Sequence, residues 1–200
     1  MNNRNIKNIE WWILILAIVL CAIGIIALYS ATQSNNFDEL KKQAIWLAVS
    51  VVMMIIVSFI DYRILVKISP ILYGLSMILL VAVLFTKSIN GAKSWFNIGG
   101  VSLQPAELAK VSVILFLSYV VVRLQMNGKE EVNKIWKLFI IIAVVAFPLA
   151  LIILQPDFGT AMTYIVALLL VLVVAGIDKK YMILAAILVC EGIPLAYKFV

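Results

Sequence analysis

NGAKSWFNIGGVSLQPAELAK, Asn90 to Lys110, is a polar island between two long apolar runs. It holds two lysines, one acid, a Trp-Phe pair, three glycines and a proline. The runs beside it have the length and all-round hydrophobicity of membrane helices rather than a one-sided stripe. About 20 apolar residues cross a bilayer, and that ruler applied outward from the island finds seven segments. They are Trp11–Ala31, Ala44–Ile60, Ile64–Phe85, Pro105–Val122, Leu138–Leu154, Phe158–Ile177 and Tyr181–Val200. The expected fold is therefore all-α, a polytopic helical membrane protein forming one integral membrane domain over residues 1–200.

Composition agrees. The chain of 200 residues is 65% hydrophobic and 13% charged, with a mean hydropathy of +1.14. Soluble domains carry about 45–50% apolar and roughly 25% charged residues. The net charge of +6 does not point to nucleic acid, because the basic residues lie singly or in small groups between apolar runs. With a cytoplasmic N-terminus, Arg4, Lys7, Arg63, Lys67, Arg123, Lys129, Lys134, Lys137, Lys179 and Lys180 fall on the inner side, and only Lys41, Lys42, Lys87 and Lys93 on the outer. That asymmetry predicts an N-in topology and turns both the Asn90–Lys110 island and the Leu154–Thr160 turn outward. No histidine is present, which removes the commonest metal ligand and general base. Cys21 and Cys190 sit in apolar runs, where cysteine behaves as a small hydrophobe. The first run is longer than a signal-peptide core and ends in the poor cleavage site LYSATQ, so it reads as a retained helix.

The connection from Thr86 to Gln104 is too long for a tight turn and rich in glycine, which predicts a structured loop or shallow re-entrant hairpin. Pro105 suits the first turn of the following helix. Gln-Pro followed by an acid occurs twice, at Gln104–Glu107 and Gln155–Asp157, each opening a helix that runs inward.

Candidate site residues lie at these two openings. Glu107 and Lys110 share a helix face, and Lys110 is ~7.5 Å along the axis from Pro105. An ionisable group at that depth costs roughly 2.5–3.5 kcal/mol and needs a partner or a wet cavity. A structural Glu107–Lys110 pair meets that need, and so does a substrate site; the two are compatible. Asp157 reads either as a helix N-cap or as a second acid facing the same cavity. Trp95 reads as an interfacial anchor, and with Lys93 as a grip on an anionic lipid headgroup. Glu191, inside the last run, demands a partner elsewhere in the bundle.

GAKSW (Gly91–Trp95), SLQPAELAK (Ser102–Lys110), QPDFGTA (Gln155–Ala161) and GIDKKY (Gly176–Tyr181) resemble the SEDS family of bacterial cell-wall polymerases, the RodA/FtsW/SpoVE group named for shape, elongation, division and sporulation. The motifs follow the family's order at matching helix boundaries, and the QPDFGTA wording is closer to the elongation-type branch. The resemblance implies a peptidoglycan glycosyltransferase that polymerises lipid II at the outer face of the cytoplasmic membrane, in complex with a class B penicillin-binding protein and other elongation or division proteins. Such chemistry needs a base for the acceptor hydroxyl and cationic stabilisation of the departing diphosphate. Lys93 and Lys110, or a divalent cation, would serve the second task, with Trp95, Glu107 and Asp157 shaping the substrate cavity.

Two departures accompany it. Ser94 stands where many relatives place an arginine. Family members have about ten membrane helices and an essential aspartate in a large outer loop after the seventh, so the chain reads as the N-terminal portion of a longer protein, with its catalytic aspartate beyond Val200. Two other classes stay open: a lipid-linked oligosaccharide flippase, which should carry charges through mid-bilayer, and a non-catalytic scaffold whose small residues, such as Gly24 and Ala27, pack on a partner's span.

Overall fold

The structure, a computed structural model, describes residues 11–31, 37–88, 91–98, 101–178 and 180–181. Six helices and one hairpin make up the described chain: α1 Trp11–Ala31, α2 Phe37–Ser58, α3 Tyr62–Val83, β1 Phe96–Ile98, β2 Val101–Leu103, α4 Pro105–Leu124, α5 Ile135–Ile153 and α6 Phe158–Val174, with a short 3-10 turn at Lys129–Asn133. Helices α1 to α5 are long and apolar enough to cross a membrane, whereas α6, at 17 residues, is shorter. The expected seventh span lies, apart from Tyr181, outside the described residues, as do Glu191 and Cys190.

Several helices start before their apolar runs. α2 begins at Phe37 rather than Ala44, and α5 at Ile135 rather than Leu138. Hydropathy measures the hydrocarbon thickness, but backbone N–H and C=O groups go on pairing in the polar margin, so the helix outlasts the apolar run. α6 ends early for a local reason. Gly176 takes φ +75°, its N–H reaches Val173 O and that of Ile177 reaches Leu172 O, a Schellman cap that stops the helix. Leu172 and Ile177 are both buried beside it.

The chain divides into two compact units, Met1–Tyr62 and Arg63–Val200. In the first, α1 and α2 pack on each other, and no described side chain is buried. In the second, α4, α5 and α6 pack mutually around Leu80, Ala109, Val113, Leu117, Ile141, Val145, Ile152 and Tyr164. α3 joins them through side chains. Ser112 Oγ donates to Ser76 Oγ at 2.7 Å, and the Tyr73 and Phe116 rings lie 4.6 Å apart.

Two prolines inside helices, Pro70 in α3 and Pro148 in α5, each remove the N–H that would have bonded the carbonyl four residues back. Those carbonyls belong to Val66 and Val144. The hydroxyl of Ser69 donates to Val66 O at 2.7 Å, and that of Tyr73 to Val144 O at 2.9 Å. Each freed acceptor has thus gained a hydroxyl, as an apolar surrounding requires.

Candidate functional site

The site is built where two helices begin. α4 opens with Pro105, preceded by Gln104 in extended backbone with its side chain uncommitted to its own helix. α6 is capped by Asp157, whose Oδ1 accepts from Thr160 N at 3.1 Å, a conventional N-cap. Gln104 Nε2 crosses to Asp157 Oδ2 at 2.6 Å and to Thr160 Oγ1 at 3.3 Å, while Thr160 Oγ1 donates to Asp157 Oδ2 at 2.8 Å. The two Gln-Pro openings are stapled to each other through this carboxylate.

Behind the staple lies Gln155, fully buried. Its Nε2 donates to Leu80 O at 3.3 Å, one of the carbonyls that the end of α3 leaves without an intrahelical donor. Its backbone O faces the buried Ser94 Oγ at 3.5 Å. Among the described residues, Gln155 Oε1 is the one buried side-chain polar atom without a hydrogen-bond partner. Tyr164 Oη, donating to Ala106 O at 2.7 Å, ties α6 to the first turn of α4.

Above this floor is a cavity of about 520 Å³ lined by Ala92, Ser94, Trp95, Gln104, Glu107, Asp157, Gly159, Thr160 and Thr163. Of the residues singled out in the sequence, Trp95, Glu107 and Asp157 are on its wall. Lys110 stands behind Glu107, its Nζ at 2.9 and 3.0 Å from the two carboxylate oxygens. Lys93 is exposed and off the wall. Gln104, Gln155 and Thr160 were not singled out, although the repeated Gln-Pro pair was the signal that marked both glutamines.

The wall carries two carboxylates and no cation of its own. They are not equivalent. Both oxygens of Asp157 are held by fixed donors, whereas the Glu107 side chain is 56% exposed and paired with Lys110. Among the described residues no three acidic or thiol groups converge, and Asp157 is already committed. The described residues therefore do not by themselves fit a divalent-cation site.

The opposite end of the second unit is fastened separately. Lys137, buried in the first turn of α5, donates to Leu124 O and to Glu131 Oε2, both at 2.8 Å. A cation at a helix N-terminus is unfavourable, and these acceptors offset that. Hydrogen bonds from Lys134 first, then Lys137, hold the Glu131 carboxyl below the usual range. Gln125 reaches Ala175 O at 2.7 Å, and Asn133 and Asp178 exchange two hydrogen bonds at 3.0 Å.

Five to six apolar helices, with a carboxylate-walled cavity in the second unit, define a multi-pass helical membrane protein with a polar site. The chain belongs to the FtsW/RodA/SpoVE family, described as cell cycle proteins, which residues 10–199 match. It is 32% identical over 185 residues to a peptidoglycan glycosyltransferase RodA of Treponema pallidum (strain Nichols), covering 90% of this chain and 42% of that protein. A probable peptidoglycan glycosyltransferase FtsW of Geobacter sp. (strain M18) is 25% identical over 202 residues, covering 95% and 54%. The crystal structure of the rod shape determining protein RodA of Thermus thermophilus superposes with a TM-score of 0.76 at 26% identity, covering 90% of this chain and 60% of that one. A peptidoglycan synthase complex that couples polymerization and crosslinking contains a chain matching with a TM-score of 0.79 at 26% identity, over 94% and 54%. The fold is RodA-like, and the chain spans about half the length of the curated relatives it matches.

Proposed function

We propose that the complete protein is a peptidoglycan glycosyltransferase that extends glycan strands from lipid II, at the outer face of the bacterial cytoplasmic membrane. The observation that carries this reading is the stapled cavity at the α4 and α6 openings, in a chain whose named relatives are peptidoglycan glycosyltransferases. The reaction joins an acceptor sugar hydroxyl oxygen to the anomeric carbon of the donor. The bond from that carbon to the diphosphate breaks, the hydroxyl proton goes to a base, and undecaprenyl diphosphate leaves.

In this reading Trp95 packs on a sugar face, Glu107 orients Lys110, and Asp157 holds the wall in shape. Lys93 and Lys110 supply positive charge near the diphosphate, and the base is an aspartate outside these 200 residues. Seven spans with a cytoplasmic N-terminus place the site on the outer side, where a class B penicillin-binding protein crosslinks the product.

The test is polymerisation of fluorescent lipid II by the complete gene product with its penicillin-binding partner. A glycan ladder is expected, with Lys110→Ala lowering turnover roughly 10²-fold if it stabilises developing charge. Protein that binds lipid II yet makes no polymer under any partner or metal condition would overturn the reading.

A further inference from the structure

The base of the hairpin separates two environments residue by residue. Before β1, Trp95 lines the cavity and Phe96 does not; after β2, Gln104 lines it and Leu103 does not. Successive side chains of an extended chain point to opposite faces. Phe96 and Leu103 are cross-strand partners and so share a face. Asn97 and Ser102 are partners on the other, where the Ser102 hydroxyl donates to Asn97 Oδ1. The hairpin is amphipathic across its thickness.

Its apolar side is open. Leu103 is 40% exposed and Phe96 half-buried. From Trp95 to Gln104 there is no charged residue. Immediately beyond, α4 presents Leu108 and Val111, 53% and 61% exposed, on a helix of membrane-crossing length. The open side of the hairpin is thus followed along the chain by exposed apolar side chains on a helix long and apolar enough to cross a membrane. The depth has a limit, because a two-stranded ribbon has unpaired edge amides, which the hydrocarbon core does not accommodate.

We infer that the Phe96–Leu103 side of the hairpin is immersed in the interfacial layer of the bilayer, against lipid chains, and fixes the cavity mouth at headgroup height. Trp95 and Gln104 then face a headgroup while their sequence neighbours face acyl chains, and exposed Lys93 sits at the level of lipid phosphates. A lipid-linked substrate reaches the cavity by lateral diffusion, without leaving the membrane. The immersion itself rests on geometry and not on the proposed polymerisation.

Nitroxide labels at Leu103→Cys, Ser102→Cys, Asn97→Cys and Leu108→Cys, in the complete protein with native cysteines replaced and in nanodiscs, read the environment directly. Positions 103 and 108 should collide with oxygen several-fold more than with a water-soluble nickel chelate, and positions 97 and 102 the reverse. Phe96→Trp and Asn97→Trp, read by brominated-lipid quenching, give a label-free comparison should a nitroxide disturb folding. Quenching is expected at position 96 and not at 97. Equal nickel access at 102 and 103 would mean a free aqueous loop. Shielding of 103 from both reagents would mean that protein covers this side. Either result overturns the inference, whether or not lipid II is polymerised.

Discussion

Asp157 and Glu107 share a cavity but do different work, and the difference lies in who holds their oxygens. Asp157 accepts from Thr160 N, Thr160 Oγ1 and Gln104 Nε2. It is a cap and a cross-link before it is anything else. Glu107 pairs with the neighbouring Lys110 and has an exposed carboxylate. Removing Asp157 strips the cap from α6 and leaves Gln104 Nε2 with only its longer contact to Thr160 Oγ1, at a cost of about 1–3 kcal/mol. Asp157→Ala should accordingly lower the melting temperature in detergent by several degrees, while Glu107→Gln, which loses only a partly exposed ion pair, should barely move it. Equal shifts from the two substitutions would contradict this division of labour. Lipid II affinity should respond in the opposite order.

The helices themselves were legible wherever the bilayer dictates them, since a span must be apolar for a fixed length. Trp11–Ala31 is read from the sequence with the bounds the structure gives. Starts such as Phe37 were not legible, because Asp38, Glu39, Lys41 and Lys42 extend the helix without extending the apolar run. Nor was the site legible in full. Gln104 meets Asp157 across 53 positions, and no local pattern announces such a contact, although the repeated Gln-Pro pair marked both ends. The prolines show the same limit. The expected spans Ile64–Phe85 and Leu138–Leu154 run through Pro70 and Pro148, but nothing local announces that Ser69 and Tyr73 supply the missing donors. A double-mutant cycle tests this. Tyr73→Phe leaves Val144 O unpaired in an apolar setting, worth about 1–3 kcal/mol. In a Pro148→Ala background the restored N–H at position 148 serves that carbonyl, and Tyr73→Phe should become nearly neutral. A cycle with no coupling between the two positions would mean that the hydroxyl plays no such part.

Across the whole molecule, hydrophobicity is nearly uniform while burial is not. α1 is as apolar as any helix here, yet none of its described side chains is buried, and among the described residues every buried one falls within Arg63–Val200. In water an exposed apolar surface of that size would be a liability. In lipid it is neutral, because acyl chains solvate Ile or Leu as well as a protein interior does, and packing, not transfer from water, drives helix association. The energetic consequence differs from that in a soluble protein. Shortening a buried side chain incurs no transfer term when the unfolded helices also sit in lipid, but the cavity it leaves still costs. Ile141→Ala, at a fully buried position, should therefore destabilise by about 1–2 kcal/mol at ~24 cal/mol per Å³ of cavity. Ile23→Ala, at a position 56% exposed, should cost almost nothing, because a lipid chain moves into the space. Unfolding in bicelles, followed by steric trapping, separates the two. Equal losses would mean that another protein surface, rather than lipid, covers the α1 position in the working assembly.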